Sequence, residues 1–281
     1  MKTRHVLRGA VVAFLSAMWL LASPEFSHAG ADNASVRLAQ ETSQKPASGG
    51  ASGREKAPAP SPDPGVSVSQ ADPAKTMPVY KPPLRGAPGG RVGGGTRGIV
   101  EKQVRLSVLA PNHVGLTVRA QPDLYWFISG ETACPIEFTI TEIRAAKPLL
   151  EKRLDTPPRA GIQCIRLKDL ALSLKQDVPY QWFVVAVVDP NRRSKDILSG
   201  GAVQFVASPP ALREKLRKAG KNNAVYVYAE EGLWYDAIAA VSDLIQASPK
   251  DPLLRKKRAA LLQQAGLHEA AEFDQKDAAG P

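Results

Sequence analysis

The spacing of apolar residues changes along this chain at Pro209 and Pro210, from a period of two to a period of about three and a half. Before the two prolines, short apolar stretches alternate with polar residues between turns, a pattern typical of β-strands. After them, apolar residues recur every three or four positions, which is typical of amphipathic helices. The sequence therefore predicts a mainly β fold with added α structure: a β domain at residues 99–208 and a helical module at residues 209–275.

The predicted β domain has the strand count of an immunoglobulin-like or fibronectin-type β-sandwich, in which two sheets pack face to face. Several of the strands alternate apolar and polar residues, as in the stretch IEFTI that begins at Ile136. Proline, glycine and asparagine mark the turns between them. The predicted strands cover residues 104–109, 124–129, 136–141, 149–155, 161–167, 180–188 and 202–207.

One local pattern supports the sandwich. Leu174 and Tyr180 are separated by a turn and resemble the tyrosine corner of fibronectin-type domains, in which the tyrosine hydroxyl bonds back to the main chain. The apolar run after Tyr180 is typical of a central strand. We therefore predict that Trp126, Tyr180 and Trp182 belong to the core. A sugar-binding platform of exposed rings is the alternative for the two tryptophans.

The helical module contains an internal repeat. Gly232 and Gly266 are 34 residues apart, and so are Ala237 and Ala271, which is the period of tetratricopeptide repeats. Glycine allows a sharp turn and alanine a close helix contact, so these four residues are predicted turn and core positions. Leu244 departs from the pattern, because a small residue is usual there. The predicted helices cover residues 211–219, 224–231, 233–248, 253–264 and 267–273.

The repeat is too short to be stable alone. Tetratricopeptide arrays need about three repeats to bury a continuous core, and this chain has fewer than that. The sequence therefore predicts that the helical module packs on the sandwich or on a partner.

A long segment before the β domain has the composition of a linker. Residues 30–98 hold 12 glycines and 10 prolines, and Tyr80 is the only aromatic residue among them. Such a segment buries too little apolar surface to offset its ordering entropy. We predict a disordered linker at residues 30–98 and a short disordered tail at residues 276–281.

Residues 1–29 have the order of a Sec-type signal peptide: basic residues, an apolar run at residues 9–22, and small residues at a cleavage site. The apolar run is shorter than the roughly 20 residues that span a bilayer as a helix. We expect a periplasmic or secreted protein with no transmembrane segment after cleavage.

Two cysteines, Cys134 and Cys164, follow the predicted signal peptide. An oxidising compartment makes an even pair a candidate disulfide, which would close a loop of about 30 residues. Two separately buried free thiols are the alternative.

Charge and motifs argue against nucleic-acid binding and catalysis. The formal net charge of +10 is spread over 281 residues, so no nucleic acid is predicted as a partner. His113 and His268 stand in no recognised pattern with a nucleophile. Asp189 and Asp196 flank basic residues that oppose a calcium ion. We predict no enzymatic activity, no cofactor and no metal.

The segment at residues 228–236 is the predicted interaction surface, because Tyr228, Trp234 and Tyr235 are more aromatic residues than a helix turn requires. Docking of this segment onto the sandwich is the alternative. The basic runs at residues 213–221 and 255–258 suit anionic lipid, cell-wall polymer or an acidic partner, with solvated helix faces as the alternative.

Six short fragments follow one another in a fixed order along the chain: TRG at residues 96–98, LAP at 109–111, GLT at 115–117, PDLYWF at 122–127, YQW at 180–182 and GLWYDAI at 232–238. Together they resemble an uncharacterised bacterial family catalogued as domain of unknown function 928. The resemblance covers residues 98–273 and implies an exported protein without an established activity.

These features predict a non-catalytic binding or scaffold protein of the bacterial cell envelope, which acts on envelope proteins through protein–protein interaction. The alternative function is carbohydrate or cell-wall binding, with Trp126, Trp182 or Trp234 as a stacking platform. An enzyme or enzyme subunit is a third hypothesis, which no motif supports.

Overall fold

The computed structural model describes residues 77–83, 90–93, 104–154 and 159–279. All of them lie in one compact unit that spans Ala71–Pro281. The predicted β domain and helical module are therefore parts of a single unit. The predicted signal peptide and most of the predicted linker lie outside the described residues.

Eight strands in the described part of the chain form two sheets. The five-stranded sheet has the order β2-β8-β7-β4-β5, and the three-stranded sheet has the order β1-β3-β6. Neighbouring strands are antiparallel, except that β2 runs parallel to β8. The strands are β1 Leu106–Val108, β2 Gly115–Thr117, β3 Asp123–Ile128, β4 Ile136–Glu142, β5 Leu150–Leu154, β6 Gly161–Arg166, β7 Pro179–Ala186 and β8 Ile197–Phe205.

The two sheets share one apolar core. Alternate residues of β7 are buried, and Tyr180, Trp182 and Val184 belong to the same buried cluster as Trp126 of β3. Alternation of this kind follows from the two-residue period of a strand with one face against the core. Strand β3 is buried on both faces from Leu124 onwards, because helical residues pack on it in addition to the shared core: Phe127 contacts Phe273 of the last helix at a ring centroid distance of 5.6 Å.

The hydroxyl of Tyr180 makes the main-chain contact that the sequence predicted. It accepts a hydrogen bond of 3.1 Å from the main-chain N–H of Lys175. The bond joins the loop before β7 to the beginning of that strand.

Strand β2 is the element that the sequence missed. It has only three residues and directly follows a turn, so it shows no alternation long enough to detect. Its pairing is non-local: Gly115 lies opposite Val203 and Thr117 lies opposite Phe205, in the last strand along the chain.

Four α-helices follow β8 in the described residues. Helix α1 is interrupted at Gly220, whose φ of 68° and ψ of 175° are not helical, in agreement with the predicted pair of helices there. Gly232 and Gly266 have φ values of 74° and 70°, and this left-handed conformation, which glycine adopts without strain, ends α1 and α3. The helices are α1 Pro210–Glu230, α2 Trp234–Ala247, α3 Pro252–Gln264 and α4 His268–Ala279.

A buried ion pair joins the last three helices. Both guanidinium nitrogens Nε and Nη2 of Arg258 donate to the carboxylate of Asp274 at 2.6 Å, and Nη1 donates to the hydroxyl of Ser242 at 3.0 Å. A buried charge is tolerated only when it is paired and hydrogen-bonded, as here. The network fixes how α2, α3 and α4 lie against one another.

Two predictions of disorder are wrong in part. Residues 276–279, in the predicted tail, continue helix α4. Residues 77–83 and 90–93, in the predicted linker, pack against the folded unit: Tyr80 is a core residue and Val92 pairs with Gly200 of β8. Composition alone does not exclude these segments from the fold, because they use a core that other residues build.

Candidate functional site

The predicted interaction surface at Trp234 and Tyr235 is not a surface. The exposed fraction is 0% for Trp234 and 2% for Tyr235, and Tyr228 is half-buried. The prediction is therefore wrong for the two central residues. Both rings are buried because they begin α2 where that helix packs on β2 and β3.

We call Trp234, Tyr235 and Asp236 the anchor residues, because each of them holds the helices to the sheets. The indole Nε1 of Trp234 donates a hydrogen bond of 2.8 Å to the carbonyl oxygen of Leu109. This bond satisfies the indole N–H, which a fully buried tryptophan needs.

Tyr235 reaches furthest into the sheets. Its hydroxyl accepts a hydrogen bond from Nε1 of Trp182 and donates one to the carbonyl oxygen of Ala202, both at 2.9 Å. The ring lies so close to β2 that a Cβ at Gly115 would be 2.7 Å from its Cε2 atom. Glycine is therefore needed at position 115 for the helix to approach this closely.

Asp236 is a buried carboxylate at the same junction. Its Oδ2 accepts a hydrogen bond of 2.8 Å from the main-chain N–H of Val118. Its Oδ1 faces Nε of Arg119 at 3.3 Å in an ion pair whose geometry does not make a hydrogen bond. Burial raises the pKa of Asp236 to about 6, which the Val118 bond, Arg119 and Thr117 only partly oppose.

A second set of contacts also involves Trp234. Residues 77–83, which we call the arm, run extended across the C-terminal ends of α1 and α3. Pro78 and Tyr80 are buried, while Met77, Val79 and Lys81 are exposed. This alternation is that of an extended chain with one face against the protein.

Tyr80 fills an aromatic pocket and is 8% exposed. Its ring meets Trp234 edge to face at a centroid distance of 5.0 Å and lies parallel to the ring of His113 at 6.0 Å. A hydrogen bond of 2.9 Å joins its hydroxyl to Nε2 of His113. Burial lowers the pKa of His113 and raises that of Tyr80, so both groups are neutral at pH 7.

The main chain of the arm also makes hydrogen bonds to the helices. The side chain of Gln264 brackets the arm: its Oε1 accepts from the N–H of Tyr80 at 2.8 Å, and its Nε2 donates to the carbonyl oxygen of Pro78 at 3.0 Å. The N–H of Lys81 donates to the carbonyl oxygen of Ala229 at 3.0 Å. We call the groove formed by Ala229, Glu230, Trp234, Gln264 and His113 the arm cleft.

Residues 90–93 continue the same pattern. The guanidinium of Arg91 donates to the carbonyl oxygens of Ala110, Ala265 and Gly266 at 3.0 to 3.2 Å. The last carbonyls of a helix have no partner within the helix and carry its negative dipole end, so a cation is favourable there. Lys81 at the end of α1 and Arg91 at the end of α3 both occupy such positions.

The cysteines do not form the predicted disulfide. Cys134 and Cys164 are free thiols, and each packs separately against the apolar core. Cys164 of β6 lies opposite Tyr125 of β3, and burial raises its pKa to about 11. The thiol is therefore protonated and poorly reactive at neutral pH.

The structure places the remaining predicted core residues as follows. Trp126, Trp182, Ala237 and Ala271 are buried. Within the described residues the indole N–H of Trp126 lacks a hydrogen bond. Gly232 and Gly266 lie in the turns that follow α1 and α3.

The sequence did not single out Tyr80, Gln264, Arg91 or Asp236 as site residues. The detectable signal for Tyr80 was that a lone tyrosine between prolines is unusual in a segment otherwise without aromatic residues. Asp236 had no such signal, because an acidic residue in the first turn of a helix is common.

Searches for other kinds of site give negative results within the part of the chain that the structure describes. It contains no group of three or more His, Cys, Asp or Glu side chains that could hold a metal ion. No described helix has both the length and the apolar character needed to cross a bilayer.

Comparison with solved structures and with curated proteins adds little. One solved structure with some similarity is a multi-domain immunophilin from Arabidopsis thaliana, at 10% identity over 64% of this chain and 95% of that chain, with a TM-score of 0.16. A likeness at this level carries no argument about the fold. The chain matches no curated protein.

The comparison with protein families is informative. The model of the family described as Domain of Unknown Function (DUF928) matches residues 92–274. The match contains both sheets, the anchor residues and most of the four helices. Because it covers more than half of the chain, this protein belongs to the DUF928 family.

Proposed function

We propose that this chain is a non-catalytic, exported binding or scaffold protein of the bacterial cell envelope, and that it acts through protein–protein interaction. The arm cleft is its site for extended segments of partner proteins. In the same proposal the two sheets are an immunoglobulin- or fibronectin-like sandwich, and the helices are a short tetratricopeptide-like module.

The observation that carries the proposal is the mode in which the arm is held. An extended segment lies on the helices through hydrogen bonds to its own main chain, at Tyr80 and Lys81, and through one buried aromatic side chain. Main-chain bonds combined with pockets for alternate side chains are how many domains recognise peptides. The cleft thus has the chemistry of a peptide site.

The anchor residues support a scaffold role. A binding surface on marginally stable helices would lose affinity through the entropy of ordering them. Here Trp234 and Tyr235 fix α2 to the sheets by hydrogen bonds to Leu109, Trp182 and Ala202. The cleft is therefore formed before a partner arrives.

The alternative of carbohydrate binding lacks the exposed tryptophan rings that it requires. Stacking on a sugar needs an exposed aromatic face, and Trp126, Trp182 and Trp234 are all within 1% of full burial.

The proposal is tested by site-specific photo-crosslinking in the envelope of the native cell. A benzophenone amino acid is placed at Gln263, an exposed residue next in sequence to Gln264 of the cleft, and in a matched variant at Leu149, an exposed residue immediately before β5. We expect a discrete protein adduct from position 263 that is absent from position 149. Equal or absent adducts at the two positions would remove the protein-binding role of the cleft.

A further inference from the structure

We infer that the partner segment of the arm cleft carries a tyrosine, flanked by prolines and followed by a basic residue, and that the arm itself is a built-in competitor for that segment. The inference rests on the proposed function, because it names the partner chemistry and the regulation of the same cleft. The partner is a segment of a different protein, and the reasons follow from the contacts of the arm.

The pocket of Tyr80 selects a phenol ring. Trp234 lies against the phenol in a T-shaped contact, and the ring of His113 is nearly parallel to the phenol at a centroid distance of 6.0 Å. The phenol hydroxyl makes a hydrogen bond with Nε2 of His113. Phenylalanine would keep both ring contacts and leave that nitrogen without its partner. A buried polar atom without a partner is disfavoured, so the site distinguishes tyrosine from phenylalanine.

The prolines of the arm stand at positions where the cleft accepts no hydrogen bond from a main-chain N–H. Only Tyr80 and Lys81 donate from the main chain to the helices, whereas positions 78, 82 and 83 are prolines, which have no N–H. A proline also holds the residue before it extended. Proline on both sides of the tyrosine therefore lowers the entropy lost on binding and sacrifices no hydrogen bond.

The negative charge of Glu230 favours a basic residue directly after the tyrosine. The ammonium group of Lys81 lies 2.7 Å from the carboxylate of Glu230, at the C-terminal end of α1. Both groups are exposed, so the pair adds little affinity. An acidic residue at that position would instead meet Glu230 and the negative end of the helix dipole, and so would be rejected.

The arm is suited to be displaced. The family match begins at residue 92, so the arm lies outside it, whereas His113, Glu230, Trp234 and Gln264 of the cleft lie inside it. The outer side of the arm does not pack on the core, since Val79 is 62% exposed. A tethered occupant that covers a site of the core domain acts as an intramolecular competitor.

A second copy of this chain is not the favoured partner. Its arm would make the same contacts without the covalent link to the folded unit, and a link of this kind gives the resident arm an effective concentration on the order of millimolar. An identical segment in trans therefore loses to the resident arm. A partner that displaces the arm must carry the same central chemistry and further contacts of its own.

The test uses the full mature chain and labelled heptapeptides with the sequence of residues 77–83. Tyr80→Ala empties the pocket of its resident side chain, so the peptide should bind this variant at least about tenfold more tightly than wild type, as measured by fluorescence anisotropy. Replacing tyrosine by phenylalanine in the peptide should weaken binding about fivefold, and replacing it by alanine should weaken it more than tenfold.

A matched pair of variants tests whether the peptide binds in the arm cleft. In the Tyr80→Ala background, Gln264→Ala removes two hydrogen bonds and should weaken binding about tenfold, while Gln263→Ala at the neighbouring exposed position should not change it.

Several results would overturn the inference: equal affinity for wild type and Tyr80→Ala, indifference to the tyrosine of the peptide, or a stable dimer of wild type through exchanged arms. The crosslinking test of the cleft fails or succeeds independently of these. Adducts at position 263 without tyrosine selectivity would leave the binding role and remove only the partner chemistry.

Discussion

The aromatic residues Tyr235 and Tyr80 are both buried near Trp234, but their surroundings differ. Tyr235 is 2% exposed, and its hydroxyl bonds to Trp182 and Ala202 inside the sheets. Tyr80 is almost as buried, but its neighbours Val79 and Lys81 are exposed. Burial of a single ring therefore does not separate a permanent contact from an exchangeable one. We propose that the burial of the adjoining residues distinguishes the two kinds of contact.

The physical basis of the difference is cooperativity. The anchor residues form consecutive contacts that cannot open without exposing the core that they share with both sheets. Detachment of the arm, by contrast, would expose only Pro78, Tyr80 and a few hydrogen bonds. Local openings of this kind need far less free energy than global unfolding. The anchor should report on global stability, and the arm on a local equilibrium.

The largest expected loss of stability is that of Trp234→Ala. We expect it to lower the free energy of unfolding by about 3 to 5 kcal/mol, because it removes a fully buried indole and leaves the carbonyl of Leu109 without its donor. Urea unfolding followed by far-UV circular dichroism measures this, with Val79→Ala as the control that should change little. Loss of the helices alone, with the sheets intact, would show that the anchor does not couple the two parts.

Among the anchor residues, Asp236 makes the stability of the protein depend on pH. Its pKa is raised to about 6 in the folded protein and lies near 4 in an unfolded chain. The folded state therefore holds the proton to a higher pH, and ionisation of Asp236 costs stability as pH rises from about 4 to about 6. A shift of about two pKa units corresponds to about 3 kcal/mol.

Asp236→Asn isolates this effect, because the amide keeps an oxygen for the N–H of Val118. We expect the stability of wild type relative to the variant to fall by up to about 3 kcal/mol between pH 4 and pH 7. Chemical denaturation across this range measures it. A constant difference between the two proteins would mean that the carboxylate is already ionised at pH 4 or is solvated.

The sequence predicted most of the elements because their signals are local. Alternation in β7 and the helical period in α2 depend on residues a few positions apart. The resemblance to the family rested on short fragments. Four of them, LAP, GLT, YQW and GLWYDAI, meet in the structure: Leu109, Gly115 and Trp182 all contact an anchor residue. The fragments that identify the family are therefore residues that contact one another in the fold, which no single fragment shows by itself.

The parts that the sequence missed depend on distant partners. Strand β2 exists because it pairs with β8, nearly 90 residues later. Trp234 and Tyr235 resembled an exposed patch because a helical pattern shows which face is apolar and does not show what covers it. Tyr80 was assigned to a disordered linker because its segment has no core of its own, and it docks on one built by residues far along the chain.

The smallest expected effect tests the arm side. Gln264→Ala removes two hydrogen bonds of the arm from an exposed position, so global stability should stay within about 0.5 kcal/mol of wild type. Hydrogen exchange at the amides of Tyr80 and Lys81 should nevertheless accelerate about five- to thirtyfold, because local opening becomes easier by one or two hydrogen bonds. Gln263→Ala should leave both rates unchanged. If the amide of Ala237, which bonds to Leu233 beside the anchor, accelerated equally, the arm and the anchor would open together, and the arm could not act as a competitor that leaves the cleft intact.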